Sequence, residues 1–269
     1  MTTSLLAFLR SIGLFKKPIV AITHKTFANN FWSRIFTYLC VKGNDKMLCL
    51  SDETRKLLRD NFQIPEDKLE FLPWCIDVNV PKLHDSQIYF NHVNSSYILS
   101  SGVSYRDYET LITAFQEIDY PLQIFGYGKV NYSYTDALPK NVNIYEEFLP
   151  TPQLLDKYKN AYIVAIPLKI EQSKPCNAFG LTSALEAMAM GKAVVITKNK
   201  YMGFDVEKEG VGLTIDTGDV AAWKDAISYL LQNPELVKEM GIKGRRLVKE
   251  KFNLEKFSLE LAHYLKATV

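Results

Sequence analysis

Apolar positions along the chain follow two periods in turn. Leu5, Leu6, Phe8, Leu9, Ile12 and Phe15 fall at helical spacing, and Lys16, Lys17 and Pro18 end that pattern. The run PIVAIT (18–23) has the length and β-branched content of a buried strand. Helix-like and strand-like runs then alternate: FWSRIFTYLCV (31–41) reads as helix, KMLCLS (46–51) as strand, DETRKLLRDNF (52–62) as helix behind Ser51 as N-cap, and KLEFLPW (68–74) as strand. Residues 77–95 are polar, with Pro81, two histidines and several asparagines, and read as a linker. Beyond it the alternation resumes, with strands over 96–102, 121–128, 141–149, 162–168, 193–197 and 211–216. Helices are expected over 107–118, 151–161, 219–233 and 254–266. The stretch 234–252 reads as a helix broken at Gly241. In the last helix Leu254, Phe257, Leu261 and Leu265 share one face.

Strands that alternate with helices imply βαβ units and parallel sheets. The pattern predicts two α/β lobes. Residues 1–80 form a partial Rossmann-like domain, 81–95 the linker, and 96–252 an essentially complete Rossmann-like domain. Residues 253–269 form a helix that crosses back onto the first lobe.

Composition narrows the chemistry. The 269 residues are 47% hydrophobic and 23% charged, enough for two moderate cores. A net charge of +2, with basic and acidic residues interleaved along the whole chain, argues against a nucleic-acid partner. Cys40, Cys49, Cys75 and Cys176 form no CxxC pair and do not cluster with histidine, so reduced packed thiols are expected rather than a zinc site or a disulfide framework. No acidic metal-binding cluster is visible. The longest apolar runs fall short of the roughly 20 residues that span a bilayer, and the N-terminal stretch lacks the early charge of a signal peptide.

The most informative segment is NAFGLTSALEAMAMGKAVVIT (177–197). A small glycine-containing turn leads into a short apolar helix, a glycine stops it, and a β-branched strand follows. Glycine in the turn lets backbone amides approach a ligand closely. The helix behind it presents unpaired N–H groups and a partial positive charge, a setting suited to a diphosphate. Glu186 is a lone carboxylate about one turn into that helix.

These residues, from GLTSALEAMAMGKAVVIT outwards, resemble the donor-site signature of retaining glycosyltransferases of the GT-B fold, family 4 type. SSGVSYRDYETLITAF, LQIFGYGK and NAYIVAIPL resemble the preceding strands and turns of that family's C-terminal domain. The stretch from 210 to 252 resembles its ending, and CLSDETRKLLRDNFQIPEDKLEFLPWCID resembles the end of its N-terminal domain. The resemblance implies a nucleotide-diphospho-sugar as donor substrate with no further cofactor and no metal. It places Gly102, Arg106, Gly126, Lys129, Gly180, Leu181, Thr182 and Glu186 at the donor, with Glu186 on the ribose hydroxyls. Lys174 is a weaker candidate. His24, after the first strand, matches the family histidine beside the transferred sugar and is the catalytic candidate.

Three departures temper that implication. The family's usual glutamate eight residues before the Glu186 position is Ala178 here, with Asn177 beside it. The arginine that usually follows the glycine of the first C-terminal strand is Val103, which leaves Arg106 as the nearest replacement. Arg106 has an alternative in a surface ion pair with Asp107 or Glu109. The N-terminal domain of the family holds about 150–200 residues, so residues 1–80 lack its first βα units. A fragment, a second chain that completes the domain, or cover by residues 4–15 would each account for this. Three functions are therefore open: sugar transfer to a sugar, lipid-linked or protein acceptor, as the leading expectation; non-catalytic binding of a nucleotide-sugar; or another GT-B activity such as nucleotide-sugar epimerisation or phosphorolysis, the last without a recognisable cofactor-lysine setting. The expected location is cytoplasmic, at the inner face of the membrane if Lys16 and Lys17 rest on it.

Overall fold

The computed structural model describes residues 2–23, 31–79, 96–126, 138–170 and 178–268. His24, Lys129, Lys174, Cys176, Asn177 and the expected linker 81–95 lie outside the described residues.

Two parallel sheets organise the chain. The first has the order β1–β2–β3, from Val20–Thr23, Lys46–Cys49 and Leu69–Phe71. Helices α1 (Thr2–Ser11), α2 (Phe31–Gly43) and α3 (Asp52–Phe62) accompany it. Ser51 caps α3 as the sequence suggests, its Oγ accepting the Thr54 N–H at 3.1 Å.

The second sheet is built from β4 (Tyr97–Ser101), β5 (Leu122–Phe125), β6 (Val142–Tyr145), β7 (Ala161–Ile166), β8 (Val194–Thr197) and β9 (Gly212–Ile215). Its order is β6–β5–β4–β7–β8–β9. The chain steps outward from β4 to β6, then returns to lay β7 on the other side of β4. The strand order thus reverses between β4 and β7, where open α/β sheets bind ligands.

Every residue of β4, β7 and β8 is buried, because helices cover both faces of this sheet. One face packs Leu99, Val164 and Ile196 against α5 (Thr151–Asn160), α6 (Leu181–Ala189) and α8 (Pro234–Lys251). The other packs Ile98, Ile163 and Val195 against α4 (Tyr108–Ala114) and α7 (Val220–Gln232).

Gly241 does not break the helix over 234–252; α8 runs through it unbroken. A Cβ there would collide with the carbonyl oxygen of Gly191, so the missing side chain lets α8 lie directly on the turn between α6 and β8. Close packing overrides the weak helical propensity of glycine.

The final helix α9 (Leu254–Thr268) runs along the first lobe. Ile76 donates to the Phe252 carbonyl and accepts from the Leu254 N–H, both at 3.0 Å, and Trp74 meets Phe257 edge to face at 5.8 Å. Leu254 and Leu265, at the ends of the predicted apolar stripe, remain exposed.

Candidate functional site

At the reversal of strand order, where open α/β sheets form a crevice, the turn after β4 meets the start of α6. Gly102, the first residue after β4, has φ +113°, and its N–H donates to the Phe125 carbonyl at 3.1 Å. The Arg106 guanidinium lies directly over it: a Cβ on Gly102 would come within 2.5 Å of Nη2. Glycine is therefore required both by the backbone conformation and by the arginine above it.

Arg106 makes neither of the ion pairs open to it in the sequence. Its Nε donates to the Ser101 carbonyl at 2.9 Å, Nη1 to the Ser104 carbonyl at 3.3 Å, and Nη2 to Ser183 Oγ at 2.8 Å. Asp107 instead caps α4, its carboxylate accepting from Thr110 Oγ1 at 2.8 Å. The loop is pinned across the crevice, where the Lys169 N–H donates to the Tyr105 carbonyl at 2.8 Å and the Asp107 N–H to the Pro167 carbonyl at 3.1 Å. Tyr105 adopts φ +56°, and its ring stacks on Phe179 at 4.0 Å, which holds this unfavourable backbone conformation.

Gly180, at φ +81°, leads into α6 with no side chain capping the helix. A Cβ there would press on Ile166, Ile196 and Leu168 at 3.1–3.2 Å. Thr182 is exposed in the first turn. Leu181 is turned into the core, and its N–H donates to the Ala178 carbonyl at 3.2 Å, so its side chain faces away from the crevice. Gly126 is buried at the end of β5, its N–H donating to the Tyr145 carbonyl at 3.1 Å.

Glu186 sits one turn further into α6, half-buried. Burial pushes its carboxyl above the usual carboxylate range, opposed by a hydrogen bond from Tyr158 and by the charge of Arg106. The Tyr158 hydroxyl is fully buried and shares a 2.7 Å hydrogen bond with Ser101 Oγ. Burial raises its pKa, and the Glu186 charge adds to the rise. Burial likewise lowers the pKa of Arg106, while Tyr108, Tyr158 and Glu186 counter that effect. Gly102, Arg106, Gly180 and Glu186 are thus brought together, and Ser101, Tyr158 and Ser183 join them. Sequence reasoning missed these three. Tyr158 lies on α5, and no local spacing links KYKNA to the signature. Ser183 is within the signature but has the look of an ordinary helix-surface residue.

A cavity of about 480 Å³ opens where the lobes meet. It is lined by Ser51, Asp52 and Glu53 at the start of α3, by the end of β8 and the segment behind it from Lys198 to Glu207 apart from Tyr201, and by Thr214 on β9. None of the predicted donor residues lines it. Among the described residues no group of three or more His, Cys, Asp or Glu gathers as a metal site. No helix among them is long and apolar enough to cross a membrane. Cys40 and Cys49 are buried and in no disulfide, and burial pushes the Cys49 thiol up to about 12.

Residues 86–247 match the family described as glycosyl transferases group 1. The chain is similar to an uncharacterized glycosyltransferase of Methanocaldococcus jannaschii, at 25% identity over 231 residues, covering 85% of this chain and 61% of that protein. It is 36% identical over 92 residues to a D-inositol 3-phosphate glycosyltransferase of Corynebacterium jeikeium, covering 34% of this chain and 20% of that one. This chain therefore spans less than two thirds of either relative. The solved structure of Anabaena HepE with UDP-glucose superposes with a TM-score of 0.72 at 14% identity, over 98% of this chain and 77% of HepE. That likeness shows the GT-B fold. With the family match over more than half its length, the chain belongs to the glycosyl transferases group 1 family.

Proposed function

We propose that this chain binds a nucleotide-diphospho-sugar in the crevice between β4 and β7 and transfers its sugar, with retention of configuration, to a sugar, lipid-linked or protein acceptor. The observation that carries the reading is the convergence of Gly102, Arg106, Gly180 and Glu186 where the strand order reverses. The uncapped first turn of α6 faces the diphosphate, and Glu186 accepts hydrogen bonds from the ribose hydroxyls. Arg106, held flat over Gly102, offsets negative charge on the diphosphate as it departs. HepE, a neighbour in fold, is solved with UDP-glucose, which supports a uridine donor. His24, which lies outside the described residues, is proposed beside the transferred sugar from the family resemblance alone.

A second reading, a non-catalytic nucleotide-sugar-binding homologue or subunit, is favoured by one observation. The position after Gly102 carries Val103, 59% exposed, and the replacement Arg106 is already bonded to two carbonyls and to Ser183. Donor hydrolysis measured beside donor binding separates the two readings.

Calorimetry with UDP tests the shared core of both. Glu186→Ala should weaken binding by about 1–3 kcal/mol, the scale of hydrogen bonds to a charged group. Unchanged affinity would remove Glu186 from the ribose.

A further inference from the structure

The charge of the chain is unevenly placed. Residues 1–44 carry Arg10, Lys16, Lys17, Lys25, Arg34 and Lys42 and no aspartate or glutamate, with Arg10 paired to Asp45 at 2.6 Å, whereas the remaining residues are net acidic. The same segment concentrates exposed apolar side chains. On α2, Phe31 is 70%, Trp32 77%, Ile35 39% and Tyr38 61% exposed. Phe31, Ile35, Tyr38 and Lys42 recur at helical spacing along one outward face, with Arg34 exposed beside them. A groove of about 450 Å³ runs along this face. It is lined by Phe31, Arg34, Ile35, Tyr38, Leu39 and the end of α3 at Phe62 and Gln63, with no carboxylate. Helix α1, packed on α2 where Ala7 meets Gly43, adds exposed Leu5 and Leu6, and Leu14 stands exposed beside Lys16 and Lys17.

We propose that the outer face of α2, with its groove against α3, docks on an anionic lipid bilayer. Aromatic and aliphatic side chains enter the headgroup region, while Arg34 and Lys42 meet lipid phosphates. Charge decides between this and the alternative occupant, a protein that extends the sheet beyond β1. Strand addition needs unpaired backbone groups and gains nothing from a stretch devoid of carboxylates. An anionic surface attracts that stretch and is repelled by the acidic remainder, which fixes the orientation. The proposal does not depend on the donor chemistry.

The test is flotation of the purified chain with phosphatidylcholine vesicles containing about one-third phosphatidylglycerol, against phosphatidylcholine alone. The wild type should float with the anionic vesicles only, and less as salt rises. Phe31→Ser with Trp32→Ser should lower the partition coefficient at least about tenfold. Arg34→Glu with Lys42→Glu should lower it about thirtyfold or more. Circular dichroism and Tm, unchanged in both variants, show that the fold is kept. A wild type that stays in the lipid-free fraction, or variants that float as well as the wild type, overturns the proposal. So does self-association through Trp32 without flotation, which would give this face to protein.

Discussion

The two lobes start from the same alternation of strand and helix and reach different degrees of closure. In the second, six strands carry helices on both faces, and the apolar positions of β4, β7 and β8 are wholly buried. In the first, three strands support small clusters, one around Val41, Met47, Leu58 and Leu69 and one around Ala7, Ile19 and Cys40. Ile22 on the edge strand and most large side chains on the outer face of α2 stay exposed. Pattern alone makes a βα unit; strand number decides whether a parallel sheet can be covered on both faces. The donor crevice belongs to the closed lobe, and the proposed lipid surface to the open one.

The largest expected effect separates two glycines. Gly241→Val drives a side chain into the Gly191 carbonyl at the heart of the second lobe, and should cost at least about 3 kcal/mol in urea denaturation. Gly43→Val strikes the Ala7 carbonyl, where the first lobe holds α1 through Ala7, Phe15, Ile19 and Cys40. It should release α1, seen as fast hydrogen exchange over 2–11, and change the main transition by less than about 1 kcal/mol. Equal losses would mean that the lobes unfold as one unit.

Lys192 sharpens the contrast, because the closed lobe buries even a lysine, 1% exposed at the turn before β8. Burial pushes its ammonium down to about 8 from 10.5. Below pH 8 the folded chain bears the cost of a buried charge; between pH 8 and 10.5 the unfolded chain binds the extra proton, so stability rises with pH through that window. Lys192→Met should therefore stabilise at pH 7 by up to about 3 kcal/mol, with the gain shrinking towards pH 10. Melting curves across that range check the sign; a gain that grows with pH would contradict it.

The smallest effect concerns the seam. Phe257→Ala removes the edge contact with Trp74 and should cost about 1 kcal/mol. Exchange should quicken along α9 while UDP affinity stays unchanged. A fall in affinity would couple the seam to the crevice.

Much of this architecture was legible in the residues. The short apolar runs at KMLCLS and AVVIT, the Ser51 cap and the glycine turn at 180 act through backbone geometry within a few residues, so they can be read locally. Glu186 stood out for the same reason: a lone carboxylate in an apolar helix needs partners. What those partners are was decided only by tertiary structure. The reversal of strand order brings β4 beside β7, carries Arg106 to Ser183 across 77 residues of chain, and aims Tyr158 at Ser101. Gly241 shows the same limit from the other side. Its propensity predicts a break, yet contact with Gly191, a residue 50 positions away, keeps the helix whole. Local conformational preference is written along the chain, whereas close approach between distant segments depends on how the sheets order and close.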